Sequence, residues 1–189
     1  MLTTVFLSAL LLFAVLVLFP RRASAHCDTE DGPAVVDGRK ALQTGNANHA
    51  LKWILPDAEA ELRSIFDKAV KVRALSPDAA EVADRYFLEN LVRIHRAGEG
   101  ASYDGIKPTG TMLAPEVVAA DEAMATGNLK SLLALMPADK HHELQHRFDK
   151  ARSLQQFEVN DLAAGRAYVA AYVSFYKYAE GEEEHHHHH

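Results

Sequence analysis

The chain has 189 residues, with 20 Lys and Arg set against 26 Asp and Glu, and a net charge of −6 when histidine is neutral. A net acidic chain with scattered basic residues excludes nucleic acid as a natural partner, because phosphate binding needs a concentrated positive face. Its single cysteine, Cys27, cannot close an intrachain disulfide, so the thiol is free, intermolecular or metal-bound.

In chain order, residues 3–19 (TTVFLSALLLFAVLVLF) form an apolar run, followed by Pro20, Arg21-Arg22 and the small-x-small pattern Ala23-Ser24-Ala25. Such a run ahead of such a site predicts a signal peptide over 1–25, cut between Ala25 and His26, and export to the periplasm or the medium. The segment before the apolar run lacks Lys and Arg, so an uncleaved anchor is the alternative, and only then would the chain meet a membrane.

Cleavage would make His26 the first residue. Residues 26–32, His-Cys-Asp-Thr-Glu-Asp-Gly, then read as a metal hook. A terminal amine, the His26 imidazole and the Cys27 thiolate can close small chelate rings around one borderline or soft ion. Asp28 and Asp31 are further candidate ligands or hook-shaping residues. This segment resembles the nickel hook of nickel superoxide dismutases, which begins His-Cys-Asp and has a second Cys and a Gly four and five positions after the first Cys. Asp31 and Gly32 occupy those positions here. The resemblance implies superoxide chemistry at a helical bundle, while Asp31 in place of a thiolate puts copper ahead of nickel, with zinc behind both.

From Pro33 the pattern is helical throughout. Pro33 opens a helix that Thr44-Gly45-Asn46 ends, and a short helix over 47–55 stops at Pro56. A longer helix from Asp57 presents Leu62, Ile65, Phe66, Ala69 and Val72 as one apolar stripe. Ser76-Pro77 supplies a cap and a first-turn proline for a helix reaching Ala97-Gly98. At an offset of 82 the chain matches itself: Pro33-Ala-Val-Val with Pro115-Glu-Val-Val, Ala41-Leu-Gln-Thr-Gly-Asn46 with Ala123-Met-Ala-Thr-Gly-Asn128, and Glu61 to Ala69 with Glu143 to Ala151. The expected architecture is all-α, a helical bundle of two tandem-duplicated units over 33–100 and 115–181. Residues 101–114 form the loop between them and 182–189 an acidic and histidine tail, native or an expression tag.

Within the first unit, His95-Arg-Ala-Gly-Glu99-Gly precedes Tyr103. Together with the His-Cys-Asp-Thr start, this run resembles an uncharacterised family of exported bacterial helical proteins, a likeness that brings no established activity. His95 is the candidate remote metal ligand, with Glu99 and Tyr103 as catalytic proton-delivery groups. The alternative for His95 is a cation complementing the helix C-terminus. His142-Glu-Leu-Gln-His146 spells the zinc-peptidase pattern, but Asp149 and Arg152 stand where its longer form needs Gly and His. Tyr168, Tyr172, Phe175, Tyr176 and Tyr178 read as core packing. The expected function is a redox-metal superoxide dismutase acting on superoxide. A metal-binding or delivery protein serving a metal donor or acceptor without turnover is the alternative, and a zinc peptidase the minor one. A homo-oligomer is left open.

Overall fold

The structure, a computed structural model, describes residues 26–181, so the expected signal peptide and the tail lie outside the described residues. Within them are eight α-helices: α1 Pro33–Thr44, α2 Asn48–Leu51, α3 Glu59–Arg73, α4 Pro77–Gly98, α5 Pro115–Thr126, α6 Lys130–Leu135, α7 His141–Leu154 and α8 Leu162–Ala179. The described residues contain no strand, only one isolated parallel bridge between Thr29 and Lys107. No helix among them is long and apolar enough to cross a membrane.

Local chemistry sets these boundaries. Pro33 and Pro115 each sit in the first turn of their helix, where a missing N–H costs nothing. Gly45 and Gly127 end those helices in the left-handed region at φ of 68° and 78°, each returning its N–H to a carbonyl four residues back, on Ala41 and Ala123. The Ser76 hydroxyl caps α4 by accepting from the Ala79 N–H at 3.1 Å, and the Asp161 carboxylate caps α8 by accepting from the Ala164 N–H at 3.0 Å. The short helix expected over 47–55 is helical only at Asn48–Leu51 and then unwinds through turns. In α3 the stripe buries Leu62, Ile65, Phe66 and Ala69, but Val72 in the last turn is 42% exposed.

The most extensive packing runs within each half of the chain: α3 on α4 and α1 on α4 in the first, α7 on α8 and α5 on α8 in the second. Each stripe is already covered by its own half, and the halves meet through specific side chains. Arg166 on α8 donates to the Ile54 carbonyl at 3.2 Å and to Glu59 at 2.8 Å. Trp53 meets Tyr172 edge-on at 5.9 Å between ring centroids.

Candidate functional site

His26, Cys27 and Asp28 form one 3₁₀ turn, and all three are buried, as is Thr29. The turn is closed by the Gly32 N–H donating to the Thr29 carbonyl at 2.9 Å. It is then strapped down by the loop between the halves: the Glu30 N–H donates to the Lys107 carbonyl at 2.9 Å, and the Lys107 N–H to the Asp28 carbonyl at 2.7 Å. The Glu30 carboxylate adds ion pairs to Arg39 and Arg85 at 3.4 and 3.2 Å. The hook is thus an integral part of the bundle, and the long loop serves to hold it.

A cavity of about 10 Å³ lies at the hook, room for one water-sized occupant. His26, Cys27, Arg96, Glu99, Tyr172 and Tyr176 line it, with Val173 and Lys177. His26 Nε2 lies 2.9 Å from the Tyr172 hydroxyl and 3.2 Å from Asp121 Oδ1, and its ring stacks on Tyr176 with centroids 4.7 Å apart. The Tyr176 hydroxyl in turn donates to Asp121, which is 44% exposed. A hydrogen-bonded route therefore leads from solvent at Asp121 to the buried imidazole and the two phenols.

Burial pushes the Cys27 thiol far up, Glu99 and Asp28 push it further, and Arg96 only partly opposes them. Burial also raises the Asp28 carboxyl against the pull of Arg96, whose Nε is 3.5 Å from it. Both cavity tyrosines are held above the ordinary phenol value, again first by burial. Glu99 is clamped between Arg96 at 3.0 Å and Lys177 at 3.1 Å.

The candidate residues separate by position. His26, Cys27 and Glu99 meet at the cavity, and Asp28 lies beside it, bridged by Arg96. His95 is buried but stands behind Glu99. Its Nδ1 is 2.7 Å from the Trp53 carbonyl, which can only accept, so the proton sits on Nδ1. His95 Nε2 is left without a hydrogen bond, 3.6 Å from Glu99 Oε2. Glu99 thus faces the cavity and His95 backs it.

Tyr103 packs against the core with a buried, unbonded hydroxyl and does not line the cavity; Tyr172 and Tyr176 take that place. Asp31 is exposed, and hydrogen bonds from the Thr29 side chain and from backbone at Asp31 and Gly110 hold its carboxyl below the usual range, so it shapes the hook from outside. Among the described residues no group of three His, Cys, Asp or Glu side chains stands ready to hold a metal ion, although His26, Cys27 and Glu99 share the cavity lining. At the peptidase pattern, His142 and His146 are exposed and Glu143 accepts from Arg147 at 2.7 Å, so the carboxylate a hydrolase needs as a base is already engaged.

Residues 31–178 match the family of unknown function DUF6448. The chain belongs to this family. The DUF6448 match takes in Arg96, Glu99, Tyr172, Tyr176 and Lys177, whereas His26 to Glu30 precede it. No curated protein and no solved structure matches the chain.

Proposed function

We propose that this DUF6448 member is an exported metalloprotein that binds one redox-active transition ion, copper ahead of nickel, at the His26-Cys27 hook and dismutates superoxide there. The observation that carries the reading is the burial of the hook beside a cavity of one-water size, with carboxylates around the thiol. Such surroundings keep Cys27 protonated and poor as a nucleophile, yet favour a cation that would draw off the thiol proton. His26, through its imidazole and, after cleavage at Ala25, its amine, would hold the ion with Cys27, and Glu99 would face it from the residue just past α4. A bound ion of this kind supplies alternate one-electron oxidation and reduction of superoxide.

The chain's own residues supply the rest. Arg96 and Lys177 present positive charge to an incoming anion. Asp121, Tyr176, Tyr172 and His26 form the path by which protons for peroxide would enter. A closed site of this size favours a diatomic substrate over hand-over of metal to a protein partner. The same reading takes the body as a tandem duplication, supported by elements and packing partners that recur at the offset of 82.

Native mass spectrometry of the exported protein, paired with superoxide decay measured after stoichiometric copper loading, tests the proposal. Expected are His26 as the first residue, one bound ion, catalytic decay, and loss of both ion and activity in Cys27→Ser with the helical spectrum intact. Stoichiometric binding without turnover would assign a carrier instead. Undiminished activity in Cys27→Ser would sink the hook assignment.

A further inference from the structure

Tyr172 also lines a second, larger pocket of about 350 Å³, within the size range of small-molecule sites. Its walls are aromatic: Trp53, Phe157, Tyr168 and Tyr172. Tyr168 stands 5.6 Å from Phe157 and 5.8 Å from Tyr172 between ring centroids, so the rings form one continuous surface. The charges around them are unequal. Among the described residues the only carboxylate lining the pocket, Asp37, is already taken, its Oδ2 accepting from Trp53 Nε1 and pairing with Lys52 Nζ, each at 2.8 Å. Lys52 also stands over the Phe157 ring at 5.2 Å. Lys40 makes no ion pair among the described residues and leaves a surplus positive charge at the pocket. His49, buried at the edge, has its pKa lowered first by that burial and then by Lys40, so it adds a neutral polar group.

A flat apolar surface with one unspent cation fits a ligand that is flat, apolar and singly negative. We infer that this pocket binds a small aromatic carboxylate, its ring against Phe157 and Tyr168 and its carboxylate toward Lys40 and Lys52. The site shares the Tyr172 wall with the hook cavity but needs no metal, and no other side chain lining it has a part in the proposed dismutase chemistry.

Trp53 is the only tryptophan in the chain and lines the pocket, so its fluorescence reports occupancy directly. The experiment titrates the metal-free full chain with benzoate, following Trp53 emission and calorimetric heat, with benzyl alcohol and acetate as comparators. Saturable binding of one benzoate is expected, with a dissociation constant on the order of 0.1–1 mM for a ligand of this size. Benzyl alcohol and acetate should bind at least about fivefold more weakly, since each lacks one of two contacts worth roughly 1 kcal/mol. Lys40→Gln and Phe157→Ala should each weaken benzoate by a similar factor; Lys40 is exposed and Phe157 lies outside the helices, so both variants should keep the fold. Cys27→Ser should bind as the parent does, which separates this test from that of the hook. No saturation, acetate or benzyl alcohol binding as tightly as benzoate, unchanged affinity in both pocket variants, or loss of binding in Cys27→Ser would each overturn the inference.

Discussion

Lys177 of α8 closes on Glu99 at 3.1 Å, on the same carboxylate that His95 of α4 backs at 3.6 Å. His95 and Lys177 hold equivalent positions at the offset of 82, so the ends of the two longest helices converge on one carboxylate beside the hook. Lys177 also lines the cavity, where its charge can draw in an anion. Under the proposed dismutase reading, Lys177→Met should preserve the fold and lower the second-order rate with superoxide by about tenfold at low salt. The difference should shrink as salt is raised, because screening shortens the reach of a partly exposed charge. Stopped-flow rates at several ionic strengths check this. A deficit that is constant with salt would mean that Lys177 acts by positioning Glu99 rather than by steering.

Gly32 allows the hook to fold back. A Cβ at this position would stand 2.3 Å from the His26 carbonyl oxygen and 3.0 Å from that of Thr29, both backbone atoms that cannot swing aside. Gly32→Ala should therefore lift the turn out of its seat and cost roughly 1–3 kcal/mol, the usual range for overpacking. The helices begin after it and should remain. Reaction of Cys27 with a thiol reagent, slow in the parent because the side chain is buried, should become fast in the variant while the circular dichroism stays helical. A thiol that stays protected would show that the hook tolerates the methyl group.

Capping gives a simpler test of how α4 is held. The Ser76 hydroxyl satisfies the Ala79 N–H, and Ser76→Ala removes that acceptor without touching the core. A loss of about 1 kcal/mol in denaturant unfolding is expected, with no change at the hook.

Much of the helical body was legible in the sequence because its punctuation is local. Proline in the first turn, glycine at φ of 68° and 78°, and Ser76 as a cap act within a few residues of themselves, so the pattern reports them. The hook was legible as residue types but not as a place. That His26 would stack on Tyr176, 150 positions along the chain, depends on how α8 lies across the first half, and no local signal carries it. The same holds for Tyr172 and Tyr176. As tyrosines four apart on an apolar helix they read as core, and burial alone cannot separate a core phenol from one facing a 10 Å³ cavity. Asp121 gave no signal at all, being one of three acids on α5 with Glu116 and Glu122.

The contact between the halves should show itself in acid. Glu59 on α3 receives hydrogen bonds from Arg166 and Arg63, and these hold its carboxyl below the ordinary value of 4.5. A carboxyl with a lowered folded pKa gives up its proton more readily in the folded chain than in the unfolded one. Its contribution is thus complete above about pH 4.5 and fades as the pH falls through the lowered folded value. The groups are partly exposed, at 28% for Glu59 and 22% for Arg166, so solvent screening limits the pair to about 0.2–1 kcal/mol. Glu59→Gln should be less stable than the parent by that amount at pH 7, with the gap narrowing as the pH falls below about 4.5. Arg166 keeps its bond to the Ile54 carbonyl in the variant, so the halves should stay joined. Urea denaturation at pH 7, 4 and 3 measures the gap. A difference that persists undiminished at pH 3 would mean that the glutamate acts through packing and not through its charge.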